Sequence, residues 1–318
     1  MVIDPDGRPY FALNFSTLKS RLLALSADGA SIQLMRDMSG TSQILALDGN
    51  GGLYTATSAV AIIVSGYPNH FCPTTPGAYQ PLSSGGGVIC VAKLDLSEDA
   101  PAQFSVPLNS ASLNAAPDAP MAPGEFVTIN GIGLPTAPIV AFDGKPAAIL
   151  YSDAERILTA VPYDVGIPLT TLTIDGVGGL NLYVWPASPG LFTSDGSGFG
   201  QLDASNEDGT ANSADNPAAV GTVVTVFVNG AGAMSSLVAG GDSVPLAVPV
   251  LNFFATMGGT PTTVVGANQA PGRMAGIVSV GIRVPVGTPA GAAVVGLSVG
   301  NGFYENFPAQ PRTTIAVQ

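Results

Sequence analysis

Apolar residues in this chain fall in short runs rather than in long amphipathic stretches. VTVFV (residues 224–228) and LTI (172–174) are alternating or wholly apolar segments of strand length, set between Gly- and Pro-rich stretches. Such runs suit strands of two facing sheets, whose successive side chains point to opposite faces. Helical spacing is scarce. Only Ser16 to Leu25 has it, through Leu18, Leu22 and Leu25, and Leu23 and Ala24 blur the stripe. The pattern predicts an all-β chain.

Composition sharpens this. Charged residues make up 10% of the 318, while Gly (40) and Pro (27) together exceed a fifth, a balance suited to many short strands joined by tight turns. An apolar fraction of 46% is too high for a disordered chain. The length leaves room for two or three domains of roughly 100–150 residues each.

Two internal repeats organise the pattern. DPDGRPYFAL from Asp4 aligns with DGNGGLYTAT from Asp48, 44 residues on, and LLALSADGASIQL from Leu22 is echoed by VAKLDLSEDAPAQF from Val91 if the cysteine-flanked loop is an insertion. Periods near this length mark propeller blades. With Phe71, PTTPGAYQ (Pro73 to Gln80) and VAKLD (Val91 to Asp95), residues 1 to about 98 resemble a bacterial β-propeller repeat family, with Cys72 interrupting that family's Phe-Pro pair. Two repeats cannot close a propeller of about four to eight blades. Either further blades lie upstream, or the fragment packs as an open sheet against its neighbour.

PLNSASLNAAPDAPMAPG, from Pro107, reads as a linker, after which evenly spaced strands begin. GEFVTINGIG from Gly124 matches GTVVTVFVNGAG from Gly221, an offset of 97 that becomes 99 at the Asn130 and Asn229 turns. Further landmarks keep the same order: Asp143-Gly144-Lys145-Pro146 with Gly258-Gly259-Thr260-Pro261, Val161-Pro162 with Val284-Pro285, and Leu172-Thr173-Ile174 with Leu297-Ser298-Val299. The expected architecture is therefore a β-propeller-like fragment (1–106) followed by two immunoglobulin-like β-sandwiches (107–192 and 193–318).

This second region resembles the C-terminal domain family of large secreted proteins of acidobacteria, the Solibacter type. The residues that carry the likeness are Ala122-Pro123-Gly124, Val161-Pro162-Tyr163, Ala187-Ser188-Pro189-Gly190-Leu191-Phe192, the run Asn206-Glu207-Asp208-Gly209-Thr210-Ala211-Asn212-Ser213, and Asn216-Pro217-Ala218. The resemblance implies a secreted or cell-surface location and no particular chemistry.

Charge narrows the partners. Ten basic against twenty-two acidic residues give a net charge of −12, which repels nucleic-acid phosphates and anionic lipid surfaces. No apolar run reaches the roughly 18–20 residues of a membrane-spanning helix, and residues 1–15 lack the signature of an export signal, which would then lie upstream. Cys72 and Cys90 flank a Pro- and Gly-rich loop, and either a disulfide or two buried thiols fits them. A disulfide would place the chain in an oxidising, extracytoplasmic compartment. Calcium at the Asp4 and Asp48 turns is the one metal reading, set against ordinary hairpin turns. No other cofactor is expected.

Catalytic candidates are few. His70 is the sole histidine, so any Ser-His-Asp triad must use it. Ser16-Thr17-Leu18-Lys19 spells SxxK, in which Lys19 would deprotonate Ser16 from one side of a helix start. Tyr183 and Trp185 offer either an aromatic platform or core packing. The residues favour a non-catalytic spacer or adhesion module whose partner is a protein or glycan. The alternative is an esterase-type hydrolase using Ser16 and Lys19, or His70.

Overall fold

The structure is a computed structural model, and it describes residues 1–14, 19–39, 41–50, 52–59, 88–95, 103–104, 106–113, 120–235, 248–302 and 305–318. Strands, turns and bends make up the regular structure of these residues, with no helix among them. The chain is all-β.

The N-terminal region contains two antiparallel sheets. β1 (Val2–Ile3), β2 (Pro9–Asn14), β3 (Lys19–Leu25) and β4 (Ile32–Ser39) form a meander in sequence order, and β5 (Thr41–Leu47), β6 (Gly52–Ala59) and β7 (Val88–Asp95) form a second. Of the helical stripe expected over Ser16 to Leu25, residues 16–18 lie outside the described residues, and in the rest alternation prevails: Leu22 and Ala24 are buried on one face of β3, while Leu23 and Leu25 lie half-buried on the other. Neighbours β2 and β4 supply the backbone bonds that a helix would make internally. Tyr10, Leu22 and Ala24 pack against Leu45, Leu47 and Leu53 of the second sheet. The two sheets also repeat each other in register, since Tyr10 opposes Ala24 as Tyr54 opposes Lys93.

Two sandwiches follow. The first consists of β8 (Gln103–Phe104), β9 (Leu108–Asn109), β10 (Phe126–Ile132), β11 (Val140–Phe142), β12 (Lys145–Pro146), β13 (Ala148–Ser152), β14 (Arg156–Ala160), β15 (Leu169–Ile174) and β16 (Val177–Tyr183). One sheet runs β13-β14-β10 with β8 and β9 both on β10, and the other runs β12-β11-β15-β16. Between them lie Val127, Ile129, Phe142, Ile157, Leu172 and Leu182.

The second sandwich repeats that plan with β17 (Gly190–Leu191), β18 (Gly200–Gln201), β19 (Ala204–Ser205), β20 (Val223–Asn229), β21 (Met234–Ser235), β22 (Val248–Pro249), β23 (Asn252–Met257), β24 (Thr260–Thr262), β25 (Val264–Gln269), β26 (Val278–Arg283), β27 (Gly291–Gly302), β28 (Glu305–Pro308) and β29 (Thr313–Val317). Its sheets run β25-β26-β20, with β17 and β19 on β20, and β24-β23-β27-β29, with β18 parallel to β29. Both modules divide their strands as immunoglobulin-type sandwiches do.

The repeat is visible bond by bond. Gly124 N–H donates to Val161 O at 3.0 Å, and Gly221 N–H donates to Val284 O at 2.9 Å. The turns at Asp143-Gly144 and Gly258-Gly259 both carry two successive positive φ angles, 51° and 78° against 58° and 82°, as type I′ hairpins require. Two landmarks move. Strand pairing keeps the offset at 97 throughout β10 and β20, so Ile132, not Asn130, is the counterpart of Asn229, which ends a strand rather than making a turn. Likewise Phe142 opposes Leu172 as Met257 opposes Val295, so Val295 rather than Leu297 matches Leu172. Matching identical residues had shifted each alignment by two positions, a slip that preserves the buried face and is therefore silent in the hydrophobic pattern.

Between the modules the chain is held closely. Ser188 N–H donates to Gly230 O at 2.9 Å, and Trp185 and Ala187 pack on Val299 and Phe307 of the second module. Gly232 sits at φ 84° directly against Pro186 O, where a Cβ would collide with the carbonyl. Only glycine fits that approach.

Candidate functional site

Of the catalytic candidates only Lys19 lies among the described residues. Ser16 and His70 lie outside the described residues, as does Cys72. Lys19 opens β3 opposite Ser39, in a strand rather than at a helix start. Cys90 lies in β7 opposite Thr57. Tyr183 and Trp185 are both buried, and Trp185 packs on Phe307 with ring centroids 5.4 Å apart, so they form packing rather than an exposed platform. Burial pushes the Tyr183 hydroxyl up to about 12.

The two aspartate turns are built alike. Asp4 Oδ1 accepts from Asp6 N at 3.0 Å and Arg8 N at 2.8 Å, and Asp48 Oδ1 accepts from Asn50 N at 2.8 Å and Gly52 N at 2.9 Å. Each carboxylate caps its own hairpin in the manner of an Asx turn. The backbone bonds to Asn50 and Gly52, with help from Lys93 at 3.1 Å, hold the Asp48 carboxyl below the usual range. Among the described residues no three His, Cys, Asp or Glu side chains cluster closely enough to hold a metal.

The segment from Asn206 to Asn216 forms an amide network. Asn212 is buried; its Oδ1 accepts from Ala316 N at 2.8 Å and its Nδ2 donates to Ala316 O at 2.9 Å, so the side chain pairs with β29 as another strand would. Asn212 Nδ2 also donates to Asn206 Oδ1 at 2.9 Å, and Asn216 Nδ2 donates to Thr210 Oγ1 at 2.8 Å and Ala211 O at 2.9 Å. A cleft of about 380 Å³ borders this loop, lined by Glu207, Asp208, Thr222 and Gln318 among others. Its asparagines are committed to the loop and to β29. The motif is explained by architecture: it fastens an irregular segment to the last strand.

A second amide network lies where the two sandwiches meet. Asn229 Oδ1 accepts from Phe126 N at 2.8 Å, and its Nδ2 donates to Phe126 O at 2.8 Å and to Asn109 Oδ1 at 3.2 Å. Asn109 Nδ2 in turn donates to Ser188 O at 3.0 Å, and its Oδ1 also caps Ala111 N and Ser112 N. Gln310 repeats the device on Leu191, whose N–H it accepts at 2.8 Å. All three carboxamides are buried and bonded on both their oxygen and their nitrogen. Glu125, also buried, accepts Ala122 N–H at 2.7 Å. Burial pushes its carboxyl well above the usual range, against the opposing bonds from Ala122 and Asn109.

Apolar contacts close the rest of the junction. Phe126, Ala270 and Ile277 form a buried cluster with Leu158, Phe192 and Phe227 around them. Arg273 lies 3.7 Å above the Phe227 ring and pairs with Asp203 at 2.7 Å. The sequence does not single out Asn109, Glu125 and Gln310, and it marks Asn229 only as a turn of the repeat. Asn229 beside Gly230 reads as a turn, and nothing local marks the side chains of Asn229 and Gln310 as bonding to backbone more than a hundred residues away.

No family model matches the chain, and no curated protein matches it. Among solved structures, a crystal structure of the I9-I11 tandem from titin covers 84% of this chain and 93% of its own, at 9% identity and a TM-score of 0.19. At that score the likeness carries no argument, and the all-β sandwich assignment rests on the strands themselves.

Proposed function

We propose that the chain is an extracytoplasmic structural and binding element of the spacer or adhesion kind, its N-terminal sheets being two blades of propeller type. The observation that carries this reading is the junction. Asn109, Asn229 and Phe126 tie one sandwich to the next with buried bonds on both sides of each carboxamide, and an interface so satisfied holds one geometry. A fixed angle between modules is what a spacer or a presented surface needs. The motif likeness to secreted acidobacterial domains supports a location outside the cytoplasm, and the acidic surface favours a protein or glycan partner over nucleic acid. Fold alone assigns no chemistry.

The test pairs two measurements. The intact chain is screened on arrays of glycans and matrix proteins, and is incubated with a chromogenic short-chain ester beside Ser16→Ala and His70→Ala. Saturable array binding without ester turnover is the expected result. Turnover abolished by either substitution would replace this reading with a hydrolase.

A further inference from the structure

The two N-terminal sheets repeat each other, yet their equivalent faces have different fates. On the first sheet, Val2, Tyr10, Leu22 and Ala24 form the face covered by Leu45, Leu47 and Leu53 of the second. Offsets of 44 from β2 to β6 and 69 from β3 to β7 carry that covered face onto Ala46, Tyr54, Val91 and Lys93. There the same face points outward: Ile44 is 60% exposed, Val91 72% and Ile89 74%.

The complementary half is also repeated. The seating face of the second sheet, which includes Leu47, Leu53 and Thr55, corresponds to Ile3, Pro9 and Phe11 of the first. On that outer face Ile3 is 57% exposed and Leu13 41%. Among the described residues, one sheet-on-sheet contact is made within the chain, and the repeated copy of each of its halves carries exposed apolar side chains. Exposed apolar surface of this kind marks an interaction site.

Resting on the reading of these sheets as propeller-type blades, we propose that a second copy of this chain seats its β1–β4 outer face on the exposed face of β5–β7. The contact repeats between chains what already exists within one. Because the two faces differ, the contact is head to tail, and such contacts form rings when the rotation closes. With two sheets per copy and closed propellers of about four to eight blades, the ring holds about two to four copies.

Sedimentation velocity on the full chain tests this, with Val91→Glu altering one face and Leu13→Glu the other. Both positions are exposed, and circular dichroism checks that each variant keeps the fold; Val91→Ser and Leu13→Ser replace either one that does not. The wild type is expected to sediment as a closed oligomer and each variant alone as a monomer. Mixing the two variants restores one intact interface and yields a heterodimer that grows no further. A monomeric wild type with β5–β7 protected from hydrogen exchange overturns the assembly while leaving the sheet pair intact. An unprotected β5–β7 overturns the underlying blade reading as well. A dimer sensitive only to Val91→Glu would mean a symmetric face-to-face contact and also overturns the proposal.

Discussion

The sandwich pair and the N-terminal sheets treat their contact surfaces in opposite ways. Where the sandwiches meet, apolar side chains are buried around Phe126 and Ile277 and buried carboxamides bond to backbone across the junction. In the N-terminal sheets one face is filled and its repeat is left open, with Ile89 and Val91 turned outward. Both regions contain a repeated unit. The difference is that the sandwiches each close a core and then join through specific polar groups, whereas among the described residues each N-terminal sheet covers one face and leaves apolar side chains exposed on the other.

Breaking the junction should have the largest effect. Asn229→Ala strands the buried Phe126 N–H and takes one donor each from Phe126 O, which keeps Ser110 N–H, and from Asn109 Oδ1, and an orphaned buried group costs about 1–3 kcal/mol. The denaturation midpoint of both sandwiches is expected to fall together, while the N-terminal sheets keep theirs. Gly232→Ala comes next. It places a methyl group against Pro186 O at a positive φ, which costs about 1–3 kcal/mol in backbone strain and should lower the thermal midpoint measured through Trp185 fluorescence. Asn212→Ala, which removes both bonds to Ala316, should destabilise the second sandwich by about 1–3 kcal/mol with less effect on the first.

Glu125 gives a pH signature. Its folded-state pKa is raised by burial, so its contribution is fully present below the ordinary glutamate range and is lost as pH rises toward the raised value. Glu125→Gln should remove that slope and make the junction more stable than wild type at alkaline pH, as read from denaturant midpoints across pH. The smallest effect belongs to the N-terminal sheets: Lys93→Ala removes an exposed ion pair with Asp48, and such pairs contribute little. Its denaturation midpoint should be indistinguishable from wild type.

Much of this architecture was legible in the amino-acid pattern. Alternating runs such as VTVFV announce strands, and the ordered landmarks at Gly124 and Gly221 announce two related modules, because backbone geometry at those glycines is repeated. Register was less legible. A two-residue slip leaves the same side chains facing the core, so Leu297 looked as good a match for Leu172 as Val295, and only the cross-strand pairs separate them. Of the helical stripe predicted over Ser16 to Leu25, the described part, Lys19–Leu25, is a strand, because neighbours on both sides supply its backbone bonds. The junction amides were hidden altogether: Asn109 and Asn229 acquire their role from contacts made across 120 positions of sequence.

The claim that matters most is that the two sandwiches behave as one locked unit. Hydrogen exchange of the full chain, followed by mass spectrometry across a denaturant series, tests it directly, because cooperative units open with a shared free energy. β10 and β20 are expected to open with the same free energy, and Asn229→Ala is expected to lower both equally. Separate opening free energies, with Asn229→Ala lowering only that of β20, would contradict it.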